Sequence, residues 1–512
     1  MSDWGEGYVT ATDYTTNFYS PLAPESIDQV ALFMGKRPAR KGKAFRYFEL
    51  GCGTGLTCIL LAATHPEAEF VANDFNPGHV AIAHEIIEAL GLTNITITDR
   101  SFAEVLADTH EPYDYIIAHG IYTWVSHENR EYVTQFIGKN LKVGGYSLVS
   151  YNCAGGWSQH DILNVMFKSM LKGKDLSEPN LPNQIFGEIS QLFSLDEGLL
   201  QSNSPTVQFM NRLGGGEHDP RYVMHEFGND TWEPVYSHTP IEHMAGKKLD
   251  YIGQSNVLDN IPVTGVPAKL HPVLEGRPKL QREMLVDFAM ARIFRSDVYV
   301  KGAINQTPGA HRAELDKAKF FAAYPAERYD MAVKVPTGQI GLDEKACRSI
   351  LGFAGVDGCT GAELRQHCET LGLVDDGFRE IVGILVGVGY LRHAADEPAP
   401  ADHMTNINKR LCAMALDGQR SINYLLSPRT RSTLKVTMFD QLFFHTGETA
   451  DLGKLVEAAL GEMTARNIQI SDAKGNPLAS DQLHKMIEGN AEAYMRDTLP
   501  VLHALHIVAA NT

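Results

Sequence analysis

The chain has 512 residues, enough for roughly three domains at about 150 residues each, and its 44% hydrophobic, 21% charged and 9% aromatic content excludes disorder, collagen and coiled coil as overall descriptions. Forty-five Lys and Arg against 62 Asp and Glu leave a net charge of −17, which disfavours a surface built to neutralise nucleic-acid phosphates or anionic lipid. Seven scattered cysteines (Cys52, Cys58, Cys153, Cys347, Cys359, Cys368, Cys412) without a Cys-x-x-Cys, no signal-like N-terminus and no run of about 18 to 20 apolar residues predict a soluble cytoplasmic protein, without disulfides, zinc ribbon or membrane insertion.

From Phe45 to Tyr151 short apolar runs alternate with helical spacing, which predicts an α/β arrangement. Phe45 to Leu50 reads as a strand stopped by Gly51-Cys52-Gly53-Thr54-Gly55, and Leu56 to Thr64 as the helix that follows. Further strands are expected at Glu69 to Asn73, Ile95 to Thr98, Tyr113 to Ala118 and Tyr146 to Tyr151, with a helix over Gly78 to Leu90 ended by Gly91. After Trp157 come polar helices, a break at Gly214-Gly215-Gly216, a stretch from Tyr222 to about Asn260, and an amphipathic helix leading into a strand over Gln281 to Tyr299. Gly341 to His393 reads as a small winged-helix-like module. Its five basic residues (Lys345, Arg348, Arg365, Arg379, Arg392) against eight acidic ones point to packing or partner binding rather than DNA. Ala394 to Ala401, rich in Pro, is the linker candidate, and the remainder to Thr512 is expected to be mostly helical.

The glycine loop lies directly between a strand and a helix, where the backbone must turn sharply and approach a ligand closely. A dinucleotide fingerprint needs a third glycine at position 56, where the chain has Leu56. Glu49 at the strand end, followed by Gly51, Cys52, Gly53 and Gly55, suits S-adenosylmethionine instead, whose ammonium and sulfonium want carboxylates and carbonyls rather than a phosphate cradle. Asp74, with Phe75 beside it, ends the second strand and can accept both ribose hydroxyls, although it would serve equally as a cap for the helix after Pro77. Asp99, Ser101 and Phe102 follow the third strand, where the Asp can accept from the adenine amino group and the ring can cover the base; loop capping is the rival reading. His119 and Gly120 end the fourth strand.

Taken in order, these positions fit a class I S-adenosylmethionine-dependent methyltransferase. His119 to Val125 (HGIYTWV) and Leu141 to Asn152 (LKVGGYSLVSYN) narrow the match. They resemble the bacterial methyltransferases that carry a methyltransferase regulatory domain, among them protein-lysine methyltransferases acting on outer-membrane proteins. The resemblance continues in Tyr222 to Phe227, Trp232 to Tyr236, Leu249 to Ser255, Arg292 to Tyr299 and Tyr14 to Tyr19, covering roughly residues 10 to 300 well and the C-terminal third weakly. It implies a Rossmann-like sheet with a cofactor-covering segment around Tyr14 and Tyr19 in residues 1–160. Beyond that it implies a middle regulatory domain at 161–335, the winged-helix-like module at 336–395 and a helical domain at 402–512. Where the family commonly has a Tyr-Pro-Gly-Trp turn, this chain has Ala154-Gly155-Gly156-Trp157, which predicts a roomier, more mobile turn.

Methyl transfer is an in-line displacement for which the protein supplies alignment and desolvation, so a dedicated base is not required. A lysine acceptor must arrive neutral, which a channel of aromatic rings and carbonyls favours. Tyr122, Trp124, Tyr151 and Asn152, after the fourth and fifth strands, are the candidate acceptor pocket, with core packing as the rival role for Trp124 and Tyr151. His119 is expected to contact cofactor or backbone rather than act as a base. No metal is expected from His225 with Glu226 or His238 with His243, which lack a third ligand at a recognised spacing. The expected function is methylation of a protein side chain, lysine first. A small-molecule acceptor and a cofactor-binding scaffold without turnover are the alternatives, and a homodimer through the middle or C-terminal region stays open.

Overall fold

The computed structural model describes residues 8, 16–39, 44–176, 178–195, 201, 204–213, 220–447, 449, 451–472 and 475–509. Tyr14 and the Gly214-Gly215-Gly216 break lie outside them.

The apolar runs build β1 (Arg46–Leu50), β2 (Glu69–Asn73), β3 (Ile95–Thr98), β4 (Tyr113–Ala118) and β5 (Leu141–Asn152), all parallel. Two later strands, β6 (Leu249–Gln254) and β7 (Phe294–Lys301), complete a seven-stranded sheet of order β3-β2-β1-β4-β5-β7-β6. β7 runs antiparallel to both of its neighbours. The order reverses between β1 and β4, so the C-terminal ends of the parallel strands open onto a crevice there. This is a Rossmann-like α/β sheet with largely helical accessory regions around it.

β2, β3, β4 and the helix Leu56–Thr64 fall where the sequence places them, whereas β5 begins at Leu141, five residues early, across a register shift opposite Tyr113 and Tyr115. A boundary at residue 160 would cut the sheet, because β6 and β7 lie beyond it and β7 pairs with β5 over seven residues. What joins them is partly a buried charge cluster: Arg295 on β7, fully buried, donates to Asp287 (2.7 Å), Asp297 (3.0 Å) and Glu283 (2.9 Å). Breaking such a fully desolvated pair leaves an uncompensated charge, which costs about 3–5 kcal/mol.

The helix Leu56–Thr64 is buried at every position, which explains its lack of a polar face. One side meets the sheet; the other meets the C-terminal third, where His403 Nε2 approaches the Ala63 carbonyl (2.9 Å) and Met404, Leu411, Tyr424 and Leu426 join the same core. The Pro-rich segment 394–401 is irregular but pinned, with Ala395 and Ala399 donating to the carbonyls of Arg429 and Pro428. The segment expected as a winged-helix-like module is joined by an earlier strand, since Lys319–Ala322 pairs with both Cys359–Thr360 and Leu391–Ala394. Its last helix, Asp376–Gly387, packs on Val257–Asn260. A Cβ at Gly387 would fall 2.5 Å from Leu258 Cγ, so that face is already used for packing.

Candidate active site

The strand ends open into a cavity of about 880 Å³, toward the upper end of the range for small-molecule sites. At one end Glu49, near the end of β1, is buried among apolar side chains. Its Oε2 has no hydrogen-bond partner among the described residues, and burial with the neighbouring Asp74 charge pushes its carboxyl up to about 8. A buried carboxylate in that condition lacks a cation. Asp74 organises the glycine loop: Oδ2 accepts from Gly53 N (2.8 Å), and Oδ1 from Asn76 N (3.1 Å) and His79 Nδ1 (3.1 Å). The helix cap is Asn76, which accepts from Gly78 N (2.9 Å), so the capping alternative for Asp74 falls away. Gly53 (φ +57°) and Gly120 (φ +66°) adopt left-handed backbone and face open space, so side chains there would be strained and would fill the cavity.

Phe75, Asp99, Ser101 and Phe102 line the same end, with Ser101 also capping the helix Phe102–Ala107. His119 is held by Ser150 Oγ (2.9 Å), which also accepts from Gly120 N (2.8 Å). Burial lowers His119 to about 4, so it is neutral at physiological pH. Residues 16–19 cross over the loop, where Tyr19 N donates to Thr57 Oγ1 (3.1 Å) and the Tyr19 ring lies 4.5 Å from that of His119. Gly51 and Cys52 also line the cavity, whereas Gly55 (φ +71°) turns away and caps the following helix. The orphaned Glu49 oxygen, Asp74 on the glycine loop and the open glycines fit S-adenosylmethionine.

The other end is walled by Trp124, Trp157, Phe209, Tyr222 and Phe227, with Glu226 among them. Glu226, almost wholly buried, accepts from Asn152 Nδ2 (3.2 Å), and burial pushes its carboxyl up to about 7. Of the expected acceptor residues, Trp124 and Asn152 line the cavity and Tyr122 and Tyr151 do not. Tyr122 Oη meets His243 Nδ1 (3.0 Å), and Tyr151 donates to Asp297 (2.6 Å), placing that ring in the charge cluster under β7. The Ala154-Gly155-Gly156-Trp157 turn is tight rather than roomy. Gly156 N donates to Arg292 O (2.7 Å), and a Cβ at Gly156 would lie 2.6 Å from that oxygen.

The sequence reading missed Tyr8, Trp157, Phe209 and Tyr222 as wall residues and considered Glu226 only for metal binding. No group of three metal-ligating side chains forms among the described residues, and no described helix is long and apolar enough to cross a membrane. All seven cysteines are free thiols.

Residues 41–199 match the family model described as "Methyltransferase domain" and residues 219–301 that described as "Predicted methyltransferase regulatory domain". The chain is 27% identical to an uncharacterized protein of Synechocystis sp., over 98% of this chain and 99% of that one. An uncharacterized Rickettsia prowazekii protein is 25% identical over 55% of this chain and 50% of its own length. Among solved structures, PKMT2 from Rickettsia typhi in complex with AdoHcy superposes with a TM-score of 0.70 at 17% identity, covering 97% of this chain and 99% of that one. That likeness of fold includes the C-terminal third.

Proposed function

We propose that this chain, an S-adenosylmethionine-dependent methyltransferase with a regulatory domain, transfers its methyl group to a protein side chain, a lysine amine. Bound S-adenosylmethionine supplies a methyl carbon activated by its sulfonium, so the protein's part is binding, alignment and exclusion of water. Glu49 holds the ammonium of the aminoacyl group, Asp74 the ribose hydroxyls and the glycine loop, and Tyr19 covers the site. His119, kept neutral, serves with Ser150 to position the Gly120 turn rather than to move a proton.

The observation that carries this reading is the far end of the cavity, where aromatic walls strip water from an entering amine and the Glu226 carboxyl stands among them, while the lining Arg292 is already paired with Asp259. A cationic acceptor is drawn into such a field and loses its proton more readily once desolvated. A protein acceptor is favoured by the rim, where Ile293 and Phe294 line the cavity yet stay 40% and 41% exposed, next to the exposed pair Tyr236 and Phe288 (ring centroids 5.7 Å). Free thiols throughout suit a cytoplasmic setting.

The test is incubation with methyl-labelled S-adenosylmethionine and two fractions of the source cell's lysate, with Asp74→Ala as control. Label on a lysine of a protein band, absent with the control, is the expected result. Label confined to small molecules would reassign the acceptor.

A further inference from the structure

Glu226 is a cavity carboxylate, at the aromatic end, for which cofactor binding has no use. It stands near the C-terminus of the helix Pro220–Phe227 and accepts from a neutral donor, Asn152 Nδ2 at 3.2 Å, projecting from the last residue of β5. The groups facing it are Tyr8 and Tyr222, whose phenols its charge helps to push up, His225 on its own helix, and Asn152. None of these is a permanent cation. The Arg among the described lining residues, Arg292, is occupied by Asp259 at 2.7 Å and Asp287 at 3.4 Å. A buried carboxylate with one neutral donor, facing a cavity, is costly to keep unless a cationic ligand completes it.

We propose that the Glu226 carboxylate, oriented by Asn152, is the binding and proton-accepting group for a primary alkylammonium acceptor, which makes the site selective for amines over alcohols and carboxylates. The inference rests on the methyl-transfer reading of the cavity but not on the acceptor being a protein. An ammonium R–NH3+ seated on Glu226 gives one proton to the carboxylate and keeps the lone pair. That nitrogen then forms its bond to the methyl carbon as the carbon–sulfur bond breaks, the electron pair of the broken bond remaining on sulfur in the thioether product. The methylated ammonium R–NH2+–CH3 leaves, and the proton passes from Glu226 to water, one released per methyl transferred. Burial holds the carboxyl at about 7, close to the pH at which it must exchange that proton. Asn152, which donates to the carboxylate, acts as a positioning residue.

The experiment reads binding apart from turnover. The full-length protein saturated with S-adenosylhomocysteine is titrated with n-butylamine, the head of a lysine side chain, and with n-pentanol as a neutral probe, by calorimetry near neutral pH. Wild type is expected to bind butylamine in preference to pentanol. Glu226→Gln should weaken butylamine at least about tenfold while leaving pentanol and S-adenosylhomocysteine within about twofold, because only a charge-assisted bond has been removed. Equal butylamine affinity in wild type and Glu226→Gln, or none in wild type, would overturn the assignment. Should Glu226→Gln lose its melting transition, Glu226→Asp carries the test. It keeps the charge and should retain part of the preference for amine, and a preference lost with the charge intact would count against the proposal. Lysine label in lysate proteins undiminished by Glu226→Gln would overturn this inference and leave the proposed function standing. Amine binding through Glu226 with label only on a small-molecule amine would do the reverse.

Discussion

At one end of the cavity Glu49, Asp74, Asp99 and His119 stand at or just beyond the ends of four neighbouring parallel strands, whereas at the other Trp157, Phe209, Tyr222 and Glu226 come from helices threaded between β5 and β6. The first set is spaced by a backbone hydrogen-bond ladder, so its geometry follows from pairing register and survives changes in side chains around it. The second set is held by an apolar cluster that includes Trp124, Phe167, Ile185, Phe227 and Trp232 and is separate from the core of the sheet. On the proposed reading, cofactor recognition is thereby tied to the strand ends and acceptor recognition to a separate apolar cluster that can be reshaped without disturbing them.

The sharpest way to break that division is Trp157→Ala. Its indole packs edge-on against Trp232 (5.0 Å), Phe209 (5.5 Å) and Phe227 (6.0 Å), so its removal should cost about 3–5 kcal/mol within the helical cluster. Hydrogen exchange should speed up across residues 205–235 while S-adenosylhomocysteine affinity holds. Loss of cofactor affinity in equal measure would mean that the two ends are one cooperative unit. Asp74→Ala is the converse. It removes three hydrogen bonds to a carboxylate and the ribose acceptor, and calorimetry should show cofactor affinity lower by about 100-fold, with exchange in the helical cluster unchanged.

The same division explains what could be read in the sequence. β2, β3, β4 and the helix Leu56–Thr64 are legible to the residue because each is a short apolar run bounded by Gly, Pro or Asp, and the cofactor carboxylates sit at the ends of those runs. The sequence places Tyr151 and Asn152 in one pocket although they are consecutive on a strand; successive side chains point to opposite faces, and Tyr151 accordingly reaches Asp297 while Asn152 reaches Glu226. Glu226 carries no local sign of its role, since its place in the cavity depends on how the helix Pro220–Phe227 packs onto a cluster drawn from residues far along the chain. β7 itself is legible as the strand that ends the Gln281 to Tyr299 segment, but its neighbours are not, and only pairing with β5 shows that Arg295 and Asp297 neutralise each other in the interior.

A smaller and more selective perturbation is Gly156→Ala. The added methyl would meet the carbonyls of Ala291 and Arg292, backbone atoms that cannot swing aside, so the 291–294 segment must shift at a cost of about 1–3 kcal/mol. That segment carries Arg292, Ile293 and Phe294 along the acceptor side of the cavity. The expected outcome is a raised KM for the acceptor and a lowered melting temperature with unaltered cofactor affinity. A change in cofactor affinity would show that the rim is coupled to the strand ends through the β5–β7 pairing.

The mildest test concerns the C-terminal third, which touches the cofactor end from behind. Tyr424, in the strand Tyr424–Ser427, accepts from Phe18 N (3.2 Å) with its ring 5.9 Å from that of Phe18, one residue before the Tyr19 that lies over His119. Tyr424→Phe keeps the ring contact and removes one bond worth about 1 kcal/mol, so S-adenosylhomocysteine should dissociate a few-fold faster in stopped-flow measurements, with the melting temperature nearly unchanged. An unchanged rate would mean that Thr57, bonded to both Asn17 O and Tyr19 N, holds the strap without help. A faster rate would show why a domain that contributes no side chain to the described cavity lining is built against the helix Leu56–Thr64: it sets how long the cofactor stays beneath Tyr19.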